Sequence, residues 1–135
     1  MKKVIFILLL FVSTCFAESK DYGDIDCKFL RNYDGDTITV NIKYWHPLFG
    51  DEISIRINGI DTPELRGTEG EIHAKARAAK KLVNSACKNA KFILLKNMKR
   101  GKYFRIVADV YVDNENLADI LLKNGLAVKY DGGKK

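Results

Sequence analysis

The sequence is poor in the residues that build disulfide scaffolds and zinc sites. It holds three cysteines and two histidines among 135 residues, too few for a cysteine-rich framework. His46 and His73 stand alone, without a partner at the spacing of zinc ligands, so each is expected to be a surface histidine. The chain has no internal repeat and, outside its C-terminal tail, no low-complexity block. These absences favour one globular domain without zinc.

Long apolar runs are equally scarce. The most apolar stretch, residues 4–12, is too short to span a bilayer, and it follows two lysines at the N-terminus. Small or weakly polar residues then lead to Ala17, which is the layout of a secretory signal peptide. We expect cleavage after Ala17, so that residues 1–17 are removed and the product is secreted or periplasmic, with no stable membrane association. The alternative is a lipoprotein signal in which Cys15 becomes the lipidated N-terminus.

Basic residues outnumber acidic ones, and the formal net charge of the whole chain is +6. Loss of the signal peptide removes two lysines and no acid, which leaves the product basic. A basic surface attracts polyanions such as nucleic acids, but it also suits a soluble protein without such a partner. The lysine-rich segment 75–81 is expected to be mainly a solvated helix face.

Two cysteines, Cys27 and Cys87, remain after the signal peptide. Such a pair in an oxidising compartment is typical of one disulfide, which would close a loop of roughly 60 residues and stabilise by about 3–4.5 kcal/mol. Two buried thiols in the core are the alternative, because the sequence does not give the Cα separation that a bridge requires. Both interpretations stay open at this point.

Hydrophobic periodicity predicts five strands and two helices. The predicted strands are 26–33, 36–45, 51–60, 90–96 and 103–112, and the predicted helices are 69–88 and 116–125. The apolar stripe of the first helix is expected to be Ile72, Ala76, Ala79, Val83 and Ala86. The connection 45–50 contains a proline and a glycine and is expected to be a loop. A helix between the third and fourth of five short strands is typical of an OB-type Greek-key barrel, so we expect an α+β fold with a short C-terminal helix.

Two acidic corners interrupt this pattern. The first, "YDGDT", places Asp34 and Asp36 in a predicted hairpin turn whose glycine tolerates positive φ. Like charges so close together are costly, so a positive partner is expected nearby. The second corner, "GIDTPEL", contains Asp61 and Glu64, which on their own would suit a helix capping box. Arg56 precedes it on the strand face opposite the isoleucines, and therefore points away from the core.

Three segments, "YDGDT", "RINGIDTPE" and "GKYFR", resemble the signature segments of the staphylococcal nuclease (thermonuclease) family, and "GLA" resembles a weaker fourth. They occur in the family's order and at compatible spacing, over about residues 27–130. The resemblance implies a secreted bacterial member with the same barrel fold. It also implies that Tyr130 takes the place of a tyrosine that lines the nucleotide site.

The resemblance implies a role for each residue of a candidate site. It assigns calcium binding to Asp36, Asp61 and the Thr62 carbonyl, catalysis to Arg56, Glu64 and Arg105, and the phosphate of the bound nucleotide end to Lys102 and Tyr103. Glu64 is then the general base. The implied activity is calcium-dependent endonucleolytic hydrolysis of DNA and RNA that leaves 3′-phosphate ends. A monomer is expected.

Several alternatives stand beside this interpretation. Glu69 and Glu71 follow Glu64 and compete for the role of base, and the metal ligands also suit Mn²⁺ or Mg²⁺. An EF-hand does not fit, because the twelfth position counted from Asp34 is Trp45. Related barrels without catalysis bind nucleic acid or protein, so a non-catalytic OB-fold binding module is the main alternative. A periplasmic OB domain for another polyanion is a broader one.

The sequence departs from the family pattern at two places. The connection "YWHPLFGDE" is longer than in the best-known members, and its Trp45 and Phe49 are expected to be buried against the barrel rather than to stack on a base. The printed sequence closes with "KYDGGKK", where those members continue into a third helix. We take residues 18–131 as the nuclease-like OB-fold domain and 132–135 as a disordered basic tail.

Overall fold

A computed structural model describes residues 22–133 of the chain. The predicted signal peptide 1–17, the alternative lipidation site Cys15 and the last two lysines of the tail lie outside the described residues. The strands are β1 Ile25–Asn32, β2 Thr37–Ile42, β3 Ile53–Ile57, β4 Ile60–Asp61, β5 Ile93–Arg100, β6 Ile106–Val112, β7 Glu115–Asn116 and β8 Val128–Lys129, and the helices are α1 Pro47–Gly50, α2 Gly70–Asn89 and α3 Leu117–Lys123. In this part of the chain no helix is long and apolar enough to cross a membrane.

Five of the strands close into a barrel. Antiparallel pairing gives the order β3-β2-β1-β5-β6, and β6 then pairs in parallel with β3 to close the sheet. Helix α2 connects the third barrel strand to the fourth, and α3 follows the fifth. The predicted α+β fold with an OB-type barrel is therefore confirmed.

The core lies inside the barrel, where strand side chains alternate between interior and surface. Its largest fully buried members are Ile38 and Val40 of β2, Ile55 and Ile57 of β3, Ile60, Leu95, Val110, Val83 of α2, and Leu117 and Leu121 of α3. Each such side chain contributes about 1.5–3 kcal/mol relative to an exposed position. The barrel interior therefore supplies most of the stability, and the polar face of β3 is left for other contacts.

The buried face of helix α2 matches the predicted apolar stripe except at the first and last predicted positions. Ala76, Ala79 and Val83 are buried as expected, but the last buried position is Cys87 rather than Ala86. Ile72 is 57% exposed, because the first turn of the helix is not covered by the barrel. The spacing of 3.6 residues per turn fixes the stripe, whereas the length of the covered segment depends on tertiary packing.

The predicted loop 45–50 contains a single helical turn, α1, and this prediction was wrong in that respect. Pro47 occupies the first turn, where its missing N–H costs nothing, and the His46 Nδ1 accepts a hydrogen bond from the Leu48 N–H at 3.2 Å. Phe49 is 64% exposed, so the expected burial of this side chain against the barrel is also wrong.

All five barrel strands differ from the predictions at one end or both, and the last two each begin three residues later than predicted. The fourth barrel strand begins at Ile93 instead of residue 90, because the Asp113 carboxylate accepts the N–H groups of Lys91 and Phe92 in place of a strand partner. The fifth begins at Ile106 instead of residue 103. The residues before it form one turn of 3-10 helix, Lys102–Phe104.

The small sheet formed by β4 and β8 was not predicted. Ile60 pairs with Lys129 and Asp61 pairs with Val128, and the Tyr130 N–H donates to the Gly59 carbonyl at 2.9 Å. A two-residue strand has no detectable period, so its partner cannot be identified from sequence. This pairing fixes Asp61 and brings Tyr130 to the same end of the barrel.

The turn between β1 and β2 is tied to α2 by the buried Asn32. Its amide donates to the carbonyls of Asp34 and Lys80, both at 2.9 Å, and its oxygen accepts from the Asn84 amide at 3.0 Å. The predicted hairpin is confirmed, and these bonds hold its acidic turn against the helix.

Gly35 is required in this turn by close packing and not by positive φ, which was the expected reason. A Cβ at Gly35 would lie 2.6 Å from the Ala79 Cβ and 2.9 Å from the Thr62 side chain. We expect Gly35→Ala to lower the free energy of unfolding by about 1–3 kcal/mol, the usual cost of overpacking. Urea denaturation measures this, with Gly133→Ala as a control because a Cβ there makes only an ordinary contact. Equal stability of the two variants would contradict the close packing.

Cys27 and Cys87 are both free thiols in the structure and belong to the same apolar cluster. Burial raises the pKa of each thiol to about 12, and the neighbouring Cys87 adds to the shift at Cys27. Since the thiolate is the reactive form, both should react slowly with alkylating reagents. The Cys27–Cys87 disulfide stays a prediction for the oxidised protein.

We therefore expect iodoacetamide at mildly alkaline pH to leave Cys27 and Cys87 unmodified in the folded protein and to alkylate both after unfolding. Peptide mass spectrometry on reduced protein measures the extent of modification. Rapid alkylation of either residue in the folded protein would contradict their burial. Failure to alkylate unreduced protein after unfolding would show that the disulfide has formed.

Candidate active site

One cavity of about 630 Å³ brings together seven of the eight residues to which the sequence assigns site roles. They are Asp36, Arg56, Asp61, Thr62, Glu64, Lys102 and Arg105. The cavity lies at the end of the barrel where the β1–β2 turn, the chain after β4 and the turn before β6 meet. The convergence of these residues is a property of the fold, and their individual roles remain predictions.

Arg56 joins the two aspartates at the centre of this cavity. Its Nη1 lies 2.6 Å from Asp36 Oδ2, and its Nη2 lies 3.0 Å from Asp61 Oδ1. The same Nη2 donates to the Ile60 carbonyl at 3.1 Å. The positive partner that the paired acids of the β1–β2 turn required is therefore this guanidinium.

Strand register explains why Arg56 reaches both acids. Arg56 pairs with Thr37 across the β2–β3 ladder, so it lies beside the residue that follows Asp36. Because Ile55 and Ile57 enter the core, strand alternation puts Arg56 on the opposite face. The chain then turns at Gly59 and returns as β4, which places Asp61 against the same guanidinium.

Asp36 is held by hydrogen bonds on both carboxylate oxygens. The Thr37 hydroxyl donates to Oδ1 at 3.0 Å, and the Thr62 N–H donates to Oδ2 at 3.2 Å. The Asp36 carbonyl accepts the Ile57 N–H at 2.8 Å. Asp36 is only 5% exposed, so its orientation is fixed by packing as well as by these bonds.

The alternative role of the second acidic corner as a helix cap is not realised. Asp61 lies in β4, and no helix begins at Thr62 or Pro63. The next helix, α2, starts at Gly70. The acids of this corner therefore do not cap a helix, and both line the cavity.

Burial and charge act in opposite directions on the pKa of Arg56. Burial disfavours its charged form, but the hydrogen bonds and charges of Asp36 and Asp61 outweigh burial and raise the pKa above its ordinary value. The guanidinium is thus a permanent cation at this point of the cavity.

Asp34 also lines the cavity, although the sequence assigned it only to the turn. Its carboxylate accepts the Asp36 N–H at 3.2 Å. Burial and then the charge of Asp36 raise the pKa of Asp34, which shows that negative charge is crowded here. Asp34, Asp36 and Asp61 thus bring three carboxylates to the cavity, of which Arg56 contacts two, and an additional cation would be stabilised.

Glu64 and Arg105 approach the cavity from different loops. Glu64 is exposed and lies in the loop between β4 and α2, where its carbonyl accepts the Thr68 hydroxyl at 2.6 Å. Arg105 follows the 3-10 turn, and its carbonyl accepts the Gly101 N–H at 2.7 Å. Of the three glutamates considered for the base, Glu64 lines the cavity, whereas Glu69 and Glu71 do not.

Tyr103 is the site residue that the structure does not bring into the cavity. It is 87% exposed and has a left-handed backbone with φ 57°. Its neighbour Lys102 does line the cavity. The implied contact of Tyr103 with a bound phosphate is therefore not preformed.

Two aromatic residues and one arginine also line the cavity, and of these the sequence identified only Tyr130 as a site residue. Tyr130 does line the cavity, and the Arg56 guanidinium carbon lies 5.8 Å from the centre of its ring. Arg66 lies over the Tyr33 ring at 5.9 Å. Tyr33 belongs to the first motif, "YDGDT", but the motif assigns it no role. Arg66 lies in a loop, where the sequence has no periodic pattern that would identify it.

The oxygen atoms around Arg56 fit a hard divalent cation. Asp36 and Asp61 face a common point, and carboxylate oxygens are ligands that Ca²⁺ prefers. The Thr62 hydroxyl is buried beside them and has no hydrogen-bond partner among the described residues. Residues 22–133 hold no group of three or more acidic, histidine or cysteine side chains arranged for a metal. The Thr62 carbonyl, water or substrate oxygens would therefore have to complete such a shell.

Comparison with known proteins agrees with this geometry. Residues 54–135 match the family described as staphylococcal nuclease homologue. SPbeta prophage-derived endonuclease YokF of Bacillus subtilis (strain 168) is 36% identical over 107 residues, which are 76% of this chain and 33% of that protein. Endonuclease YncB of the same organism is 36% identical over 101 residues, 72% of this chain and 44% of that protein.

The chain thus spans less than half the length of either relative. The family match covers more than half of the chain and includes the second and third motif segments, from Arg56 through Arg105. The relatives extend the similarity over about three quarters of the chain. This protein therefore belongs to the staphylococcal nuclease family.

Proposed function

We propose that this protein is an exported, calcium-dependent nuclease that hydrolyses phosphodiester bonds of DNA and RNA. The observation that carries the proposal is the cavity in which Arg56 joins Asp36 and Asp61 beside Glu64 and Arg105. The endonuclease names of two relatives support the reaction class. The N-terminal sequence supports export.

The chemical problem in this reaction is the negative charge that surrounds phosphorus. When bound by Asp36, Asp61 and Thr62, Ca²⁺ would neutralise phosphate charge and orient water. The protein contributes fixed positive groups of its own, since Arg56, Arg105 and Lys102 line the same cavity. These side chains favour a phosphate group over a neutral ligand.

The two guanidinium groups are suited to the charge that grows on the phosphoryl oxygens. A guanidinium is planar, always protonated and able to donate two parallel hydrogen bonds. Arg56 is oriented by two carboxylates, and Arg105 reaches the same cavity from a different segment of the chain, so one phosphate group would contact both. Arg105 would also stabilise the leaving 5′-oxygen, which gives 3′-phosphate ends.

Glu64 would act as the general base. Its carboxylate belongs to an exposed residue at the cavity wall, where it can accept a proton from water and release it to solvent. Lys102 would hold the phosphate of the bound nucleotide end. Tyr103 would join it only after a change in its side-chain position.

Digestion of plasmid DNA and of a structured RNA tests the proposal. We expect cleavage of both with Ca²⁺, loss of cleavage with excess chelator, and fragments whose 3′ ends carry phosphate. Mn²⁺ and Mg²⁺ are the matched alternatives, and equal activity with either would remove the assignment of calcium. Undiminished cleavage in chelator would contradict the metal dependence, and tight binding without cleavage would favour the binding module.

A further inference from the structure

A second cavity, of about 540 Å³, lies beside the candidate active site and has no role in the proposed chemistry. Its aromatic lining consists of Tyr22, Trp45, Phe49 and Phe104. The volume lies within the range of about 300–1,000 Å³ that small-molecule sites occupy. It is formed by α1, the 3-10 turn and the strands between them.

The aromatic side chains of this cavity are exposed to an unusual degree. Phe104 is 93% exposed and Phe49 is 64% exposed. Removal of such rings from water is favourable, so a surface that keeps several of them together is commonly a binding site. Here they line a concave surface and are not scattered singly.

The backbone that presents Phe104 is strained. Tyr103 and Phe104 both have left-handed backbones, with φ 57° and 59°. Each such residue other than glycine costs on the order of 1 kcal/mol or more, and strain of this kind clusters at functional sites. The Phe104 ring on this left-handed backbone is not packed on the barrel.

The charge of the cavity identifies the class of ligand. Lys99, Arg100 and Arg105 line it, and none of its described lining residues is acidic. Arg105 lines the candidate active site as well. Arg105, which is proposed to hold the scissile phosphate, is therefore shared by the two cavities.

We propose that this cavity is a stacking subsite for an unpaired base of the strand whose phosphate lies at Arg105. The proposal rests on the proposed function and adds to it a base-binding subsite outside the candidate active site. Aromatic rings stack on bases of any identity, while basic side chains follow the backbone. The bases of a closed duplex are stacked on one another and do not offer a face to Phe49 or Phe104.

Binding to fluorescein-labelled oligonucleotides tests the subsite without relying on cleavage. The protein carries Glu64→Gln to prevent turnover, and anisotropy is measured with single-stranded oligothymidylate, a blunt-ended duplex without a loop and an abasic strand of equal length. The test variants are Phe49→Ala and Phe104→Asn, because asparagine tolerates the left-handed backbone at Phe104. Tyr44→Asn is the matched control, since Tyr44 is 92% exposed with φ 78° but does not line the cavity.

We expect each test variant to weaken binding of the single strand about tenfold, the size of one lost stacking contact. Binding of the duplex and of the abasic strand should change less than about threefold, because their phosphate contacts are retained. Tyr44→Asn should bind all three probes like the parent protein. The two proposals can fail separately. If the wild-type protein does not cleave but Phe49→Ala and Phe104→Asn show these losses, the proposed function is overturned and the subsite remains.

Three results would overturn the subsite while leaving the nuclease proposal intact. They are unchanged affinity of both test variants for the single strand, equal losses on the abasic strand, and an equal loss in Tyr44→Asn. A loss of binding to vesicles of anionic phospholipid, with unchanged affinity for the oligonucleotides, would also overturn it by assigning the surface to a membrane.

Discussion

Glu64→Gln is expected to reduce kcat by about 10²–10⁴-fold, the usual contribution of a positioned general base. The amide is nearly the same size as the carboxylate but does not accept a proton from water. Because Glu64 is exposed and outside the core, the thermal unfolding midpoint should stay close to that of the wild type. Initial rates on plasmid DNA with saturating Ca²⁺ measure the loss.

Glu69→Gln is the matched control for this substitution. Glu69 is also exposed and only five positions further along the chain, but it does not line the cavity. Its rate should equal that of the wild type. A large loss in Glu69→Gln together with normal activity in Glu64→Gln would show that Glu69 is the base. That result would contradict the role proposed for Glu64.

Arg105→Ala is expected to reduce kcat by about 10²–10³-fold, the cost of removing one preorganised donor to the transition state. Arg105→Lys should recover little of this loss, because an ammonium group does not offer two parallel hydrogen bonds. Stability should change little, since Arg105 lies at the surface end of a turn and its described bonds are made by its backbone. Steady-state kinetics on a short labelled strand separate kcat from KM.

Substitution of Arg105 is a cleaner test than substitution of Arg56 of the proposal that these two arginines hold one phosphate group. Substitution of Arg56 would also leave Asp36 buried without its ion pair, so lost activity and lost stability would be mixed. Arg31→Ala is a suitable control, because Arg31 forms a surface ion pair with the exposed Glu52 and does not line the cavity. Full activity of Arg105→Ala would remove this residue from the proposed mechanism.

Much of the fold was predictable because its strands carry a simple period. The alternation of Ile53, Ile55 and Ile57 fixed both a strand and the outward direction of Arg56. The β4–β8 pairing was not predictable, because two residues have no period and their partners lie almost 70 positions apart. The helical turn α1 was hidden by a proline and a glycine that suit a loop equally well.

The site was predictable to the extent that short motifs identified its residues. Those motifs did not reveal that Arg56 would bind both aspartates at once, since this depends on the return of the chain through β4. They also did not reveal why Gly35 is needed, which follows from the distance to α2. The exposed position of Phe104 depends on a left-handed turn that no local pattern in the sequence indicates.

The central claim is that one phosphate group is held between Arg56 and Arg105 while Asp36 and Asp61 bind calcium. A crystal structure of the Glu64→Gln protein with Ca²⁺ and a short DNA strand tests it most directly. We expect the ion to contact both aspartates, Arg56 to give up at least one of its two carboxylate partners, and a backbone phosphate to contact both guanidinium groups. A strand bound along α2, or an Arg56 that still joins both aspartates while the phosphate lies elsewhere, would contradict the account.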